Sequence, residues 1–335
     1  MLYIEFPTWL RAEIIPGLPI RWYGLMYLVA FAISYLLFMY QIKRREVEVD
    51  SDTVINFFFW GILGLLIGAR LFSTLFFHGS DEYWRQPWLI FWPFRDGRFV
   101  GLQGMNFYGG LAGAIVGFVV YARAKKINIL DWGDMLLAGV PLGYTFGRLG
   151  NFINAELYGR VTQASWGVLF PTADRFPASE SWVREWALAS GISIEPGQVL
   201  VNLPRHPTQI YEALTEGIIL WLVIWFVFRK KKPFDGFIVG FYVIAYGVLR
   251  FIIDYFRMPI SAPDFALRLV DNGIPVHFVQ TPLNFIPSQF YSLAMVIGGS
   301  VFLLLVSRHH KTKSDELVAG EPGKPSRRGM RKKIK

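Results

Sequence analysis

Three stretches of this chain, residues 22–42, 99–122 and 272–307, carry no Asp, Glu, Lys or Arg, and this constrains the fold more than any other feature. A bilayer core about 30 Å thick is crossed by about 20 helical residues, and in lipid a backbone must satisfy its own polar groups. Each stretch therefore reads as holding a membrane helix, the last one near 287–307. Four more segments of suitable length carry isolated charges. Residues 53–78 hold Arg70, 132–152 hold Asp134 and Arg148, 209–228 open on Glu212 and Glu216, and 236–257 end in Arg250, Asp254 and Arg257. Charged residues make up 18% of the chain, against roughly 25% in a soluble domain. The expected fold is an all-α integral membrane protein with seven transmembrane helices, three uncharged and four charged.

Lysine placement sets the expected orientation. The first apolar stretch is full length and is followed by Lys43-Arg44-Arg45, so it reads as a retained helix ending in the cytoplasm rather than a cleaved signal. Seven spans then put the amino terminus outside, with the connections near 43–52, 123–131 and 229–235 and the carboxyl tail inside. All twelve lysines fall on that inner side. The outer connections are 79–98, 153–208 and 258–286, and the middle one is too long for a turn. Its Trp166, Trp182 and Trp186, set among Pro and Gly, suggest a small extracytoplasmic cap inserted into a membrane domain of residues 1–307. Residues 308–335 carry seven of the nine net positive charges and read as a disordered tail lying on anionic cytoplasmic lipid.

The composition also excludes chemistry. Without a cysteine the chain builds no disulfide, no thiolate nucleophile and no thiolate-ligated metal site. Histidines 78, 206, 277, 309 and 310 are scattered. No metal, cofactor or nucleic-acid partner is expected.

Ionisable groups inside a bilayer cost several kcal/mol unless they face protein or water, so each is a candidate functional residue. Counting about 1.5 Å per residue from the cytoplasmic end places Arg70, Arg148 and Arg250 roughly 20 to 25 Å up the core. Glu212 and Glu216 share that level. This is where the outer-leaflet phosphates lie, and a planar guanidinium grips phosphate through paired hydrogen bonds. The alternative is internal pairing with Glu212, Glu216 and Asp254 or snorkelling, and for Arg70 and Arg257 both readings stay open. Arg250 and Asp254 are one turn apart, and Tyr246 extends their polar face. The densest segment is Gly147-Arg148-Leu149-Gly150-Asn151-Phe152-Ile153-Asn154-Ala155-Glu156-Leu157-Tyr158-Gly159. Gly143 and Gly147 there suit close helix packing, which does not account for Arg148, Asn151, Asn154 and Glu156.

That segment resembles the signature of the bacterial prolipoprotein diacylglyceryl transferases. Arg21-Trp22-Tyr23-Gly24-Leu25-Met26-Tyr27, Pro204-Arg205-His206-Pro207-Thr208-Gln209-Ile210-Tyr211-Glu212 and the stretch from Tyr246-Gly247 to Arg250 resemble other parts of it. The likeness runs from about residue 20 to residue 307. It implies seven helices and an outward amino terminus in the bacterial cytoplasmic (inner) membrane, with an active site near the outer leaflet. It also implies transfer of the diacylglyceryl group of phosphatidylglycerol to the lipobox cysteine thiol of a prolipoprotein, with membrane lipids and lipobox peptides as partners. Arg148 and Arg250 are then the expected phosphate and leaving-group residues. Asn151, Asn154, Glu156 and Gly159 belong to the signature, Tyr23 is a pocket tyrosine, and Tyr246 and Arg70 are expected to contact substrate.

One position departs from the family. Where many members carry a histidine before paired glycines, this chain reads Asn106-Phe107-Tyr108-Gly109-Gly110. Tyrosine, with a pKa near 10, is a poor base at neutral pH. A hydrogen-bond donor role is expected for Tyr108, and the base stays unassigned, with Glu156 one candidate. Rival classes are a magnesium-dependent phosphotransferase, which would need an acidic cluster absent from the spans, and a non-catalytic lipid-binding or translocating paralogue that kept the pocket.

Overall fold

The computed structural model describes residues 2–15, 21–45, 49–77, 81–95, 97–99, 104–258, 265–270, 277–278 and 281–319. Among the described residues helix dominates, with two-residue strands between. Five described helices are long and apolar enough to cross a membrane: Trp22–Arg44, Ser51–Phe76, Phe107–Ala124, Thr208–Phe228 and Pro287–Thr312. Phe237–Ile253 is apolar but has 17 residues.

The expected span at 132–152 is divided into two helices, Ile129–Leu137 and Val140–Ile153. The break has a local cause: Gly139 carries no side chain to support a turn, and Pro141 has no N–H to give to the preceding one. Asp134, fully buried in the first of these helices, is explained by the same region. Its carboxylate accepts from the N–H of Gly236 at 2.9 Å, the N–H of Val239 at 3.0 Å and Lys232 Nζ at 3.0 Å. It therefore satisfies amides at the start of Phe237–Ile253 that have no intrahelical partner.

The chain forms two compact units, Met1–Leu37 with Asp134–Lys335, and Phe38–Gly133. In the second unit, Ser51–Phe72 and Phe107–Ala124 meet backbone to backbone. A Cβ on Gly113 would lie 2.1 Å from Gly64 O, one on Gly117 2.1 Å from Trp60 O, and one on Gly68 2.3 Å from Gly109 O. Lipid gives helices no hydrophobic reason to associate, so close approach through small residues supplies the contact.

The first unit uses the same device. Gly143 meets Ala30 O and Ser34, Gly150 meets Met26, and Gly217 meets Thr145. Gly147, expected to pair with Gly143 in packing, has open space where its Cβ would be. Glycines 240, 247 and 299 join Phe237–Ile253 to the last helix. That helix continues to Ala319, past residue 307 where the sequence places the tail, because no Gly or Pro interrupts it before Gly320. The rest of the tail and His78 lie outside the described residues.

Residues 155–207 carry their own apolar clusters. Val161, Phe176, Val183, Ala187, Val201 and Leu203 are buried with Phe278, flanked by Trp182 and Trp186. Ala155, Val168, Phe170 and Ala173 form a second cluster with Phe6. The strand pairs Phe176–Pro177 with Leu200–Val201 (antiparallel) and Ile4–Glu5 with Val168–Leu169 (parallel) tie these layers together.

Candidate active site

Glu212 organises the charged cluster of the first unit. Its carboxylate is fully buried in the first turns of Thr208–Phe228, just after Pro207. Three guanidiniums converge on it: Arg148 Nε lies 3.0 Å from Oε2, Arg250 Nη1 2.6 Å from Oε1, and Arg257 Nη1 2.9 Å from that same oxygen. Asp254, also buried, stands 3.1 Å from Arg250 Nε, the one-turn pair expected from the sequence. A buried carboxylate is tolerated when cations and hydrogen bonds replace its water. Three arginines thus stand against these two acids.

The layering gives the cluster a front and a back. The side chains of Arg148 and Arg250 are 17% and 13% exposed, whereas those of Glu212 and Asp254 are 0% exposed. Arg148 donates through Nη1 to Asn151 Oδ1 at 3.2 Å, and its guanidinium lies 4.6 Å from the centre of the Tyr144 ring. Both arginines are thus gripped through Nε and Nη1, which leaves Nη2 of each over among the described residues. The Tyr246 ring meets Tyr144 edge-on at 5.9 Å, and the Tyr144 hydroxyl donates to Glu216 Oε2.

The signature segment forms a strained turn beside this cluster. Ala155 (φ 52°) and Leu157 (φ 60°) are both left-handed without being glycine, and Glu156 lies between them. Such residues cost about 1–3 kcal/mol each and persist only where their surroundings fix them. The fixing contacts come from the second motif: Gln209 Nε2 donates to Glu156 O at 2.7 Å, Thr208 Oγ1 to Leu157 O at 3.1 Å, and Gly159 N to His206 O at 2.8 Å. The turn folds Glu156 back so that its Oε1 accepts from Asn151 Nδ2 at 2.8 Å and Asn154 Nδ2 at 3.4 Å. Gly159 is required by space, since a Cβ would fall 2.4 Å from Phe256 O.

Of the residues expected from sequence, the structure brings Arg148, Asn151, Asn154, Glu156, Tyr246 and Arg250 together. Tyr23 bonds Tyr27 hydroxyl to hydroxyl at 2.9 Å and is close enough to feel the charges of Glu156 and Arg148. Arg257 pairs with Glu212, which its internal-pairing reading allowed. Arg70 and Tyr108 belong to the second unit. Arg70 is buried and donates to Ile90 O at 2.5 Å and Gly104 O at 3.3 Å, so it holds loop backbone there. Tyr108 is 52% exposed at the start of its helix, where the Asn106 side chain caps the amides of residues 108 and 109. From sequence, Glu212 and Glu216 stand only as charges at membrane depth and possible partners of the arginines, and Tyr144 does not stand out. Helical spacing was the available signal, with Tyr144 one turn before Arg148 and Glu216 one turn after Glu212.

Around the turn, burial pushes the Arg160 and Arg205 guanidiniums down to about 10. Burial likewise lowers His206 to about 4, so its ring is neutral at physiological pH. Its Nδ1 lies 3.1 Å from the Tyr211 hydroxyl, which accepts from Trp166 Nε1 at 2.7 Å.

Comparison with known proteins agrees with the motifs. The family model described as prolipoprotein diacylglyceryl transferase matches residues 11–306. A phosphatidylglycerol–prolipoprotein diacylglyceryl transferase of Treponema pallidum is 46% identical over 328 residues, covering 94% of this chain and 98% of its own. The protein of the same name from Treponema denticola is 44% identical, covering 93% and 96%. That from Chlorobaculum tepidum is 35% identical over 331 residues, covering 95% and 99%. With a match across nearly the whole length and this level of identity, the chain belongs to the prolipoprotein diacylglyceryl transferase family.

Proposed function

We propose that this protein transfers the diacylglyceryl group of phosphatidylglycerol to the lipobox cysteine thiol of a prolipoprotein, leaving glycerol phosphate. The observation that carries the reading is the pair of partly exposed guanidiniums, Arg148 and Arg250, anchored from behind on buried Glu212. The thiol attacks the glyceryl carbon bonded to the phosphate oxygen. A C–S bond forms, the C–O bond breaks, and its electron pair leaves on the phosphate. Guanidiniums already fixed by Glu212, Asp254 and Asn151 meet that growing charge without having to reorganise, which lowers the barrier. The protein needs no nucleophile of its own, in keeping with a chain that has no cysteine.

Asn151, Asn154 and Glu156 shape the substrate side of Arg148, while Tyr23 and Tyr246 line the pocket. Tyr108 serves as a hydrogen-bond donor to substrate. Gly159 supports the site by letting the turn's backbone pass close to Phe256, and Arg70 holds loop backbone within the second unit. We place the chain in the bacterial cytoplasmic membrane with seven spans, counting the broken segment 132–152 and the shorter helix at 236–257. The amino terminus and the cap 153–208 lie outside, the tail 308–335 lies inside, and the site faces the outer leaflet.

The test is direct. Purified protein in phosphatidylglycerol vesicles should add a diacylglyceryl mass to a lipobox peptide bearing cysteine and none to its serine counterpart. A cysteine peptide left unmodified would overturn the reading.

A further inference from the structure

A thiol with a reference pKa near 8.5 must give up its proton as it attacks, and Tyr108 stands where many family members carry a histidine. The four acidic side chains of the site differ in their ability to receive that proton. Glu212 is held by three guanidiniums and Asp254 by one, and Glu156 accepts two side-chain amides on one oxygen. Protonating either of the first two would break ion pairs in a buried site. Glu216 is different. It is fully buried in the π-wound turn Ala213–Ile219, and among the described residues no guanidinium contacts it. Its Oε2 accepts from the Tyr144 hydroxyl, while its Oε1 has no hydrogen-bond partner among the described residues.

Tyr144 connects this carboxyl to the front of the site. It is only partly buried, its ring lies under the Arg148 guanidinium, and its hydroxyl reaches the acid behind. The other groups close enough to act on Glu216 are Arg148 from the helix Val140–Ile153, Tyr242, Tyr246 and Arg250 from Phe237–Ile253, and Glu212 from its own helix.

Resting on the transferase reading above, we propose that Tyr144 and Glu216 form the relay that removes the thiol proton. The Tyr144 hydroxyl passes its proton to Glu216 Oε2 and takes the thiol proton in its place, while the C–S bond forms and the C–O bond breaks. The step leaves a neutral phenol, a neutral carboxylic acid, the thioether and a phosphate carrying one more negative charge. Glu216 returns the proton to the departing phosphate or to water before the next turnover. Tyr144 is the catalytic residue that touches the thiol, and Glu216 acts through it.

The experiment compares two nucleophiles. Wild type, Tyr144→Phe and Glu216→Gln in phosphatidylglycerol vesicles are given the lipobox peptide with cysteine and the same peptide with selenocysteine, whose selenol is already ionised at neutral pH. General-base removal predicts a loss of about 10² or more on cysteine in both variants. On selenocysteine the loss should shrink below about tenfold, and on cysteine it should narrow as pH rises past about 8.5, where the thiol ionises unaided. Equal losses on both peptides, or full rates in both variants, would overturn the relay. Melting curves identify a variant that misfolds, in which case the other carries the comparison. A wild type that modifies neither peptide rejects the transferase reading instead, so the two failures are separable.

Discussion

At the scale of single residues, the site depends on what each arginine nitrogen is already doing. Arg148 and Arg250 spend Nε and Nη1 on Glu212, Asp254 and Asn151, so in the proposed reaction it is the third nitrogen of the same rigid plane that meets the phosphate. Lysine has one nitrogen on a flexible stem and cannot hold the buried acid and an outward ligand in fixed geometry. Arg148→Lys and Arg250→Lys should each lower turnover on the cysteine peptide by about 10² to 10³ with charge unchanged. Near-normal turnover in both would leave them as structural ion pairs. They stood out in the sequence because a charge inside an apolar run is out of place. Glu212 was visible for the same reason, but its position at the centre was not, since sequence does not say which of several charges at one depth will meet. Tyr144 gave still less signal, because a tyrosine among apolar residues reads as ordinary packing.

At the scale of elements, two motifs 45 or more residues apart prove to be one structure: the strained turn at 155–157 is held by backbone and side-chain contacts from His206 to Gln209. Neither motif alone tells the reader this, because the strain lies in one and the contacts that fix it in the other. Gly143 and Gly147 were legible as small-residue spacing, yet which glycines met was set by tertiary contact, as the open space at Gly147 illustrates. His206 makes this element sensitive to acid. An unfolded His206 takes a proton near pH 6.5, whereas burial delays this in the folded protein to about 4. Between those values the unfolded state binds the extra proton, so stability is full above pH 6.5 and falls as pH drops, by up to about 3 kcal/mol. Thermal unfolding of wild type should therefore lose more between pH 6.5 and 4 than unfolding of His206→Asn, which has no imidazole to protonate. Identical pH slopes in the two proteins would remove His206 from the account.

At the scale of the whole molecule, two separate observations bear on orientation. The lysines lie entirely on one side of a seven-span reading, and Asp134, which breaks the apolar run of its segment, caps a helix beside Lys232, a lysine-rich end that this reading places in the cytoplasm. The guanidinium cluster lies toward the other end of the helix Phe237–Ile253, at Arg250 and Asp254. Positive charge near the ends of membrane helices is retained on the cytoplasmic side, and on that rule the proposed orientation turns the cluster outward, toward phospholipid of the outer leaflet. The chain offers a clean test because it has no cysteine of its own. Single cysteines at positions 85, 175 and 265 should react with a membrane-impermeant maleimide in intact spheroplasts, and those at 45, 125, 231 and 320 only after permeabilisation. Labelling at 231 with protection at 175 would invert the topology and move the arginine cluster to the inner leaflet. Labelling at 175 with protection at 265 would instead show that an odd number of crossings separates those two loops, and would bring the count of seven down at the segment 209–228 or 236–257.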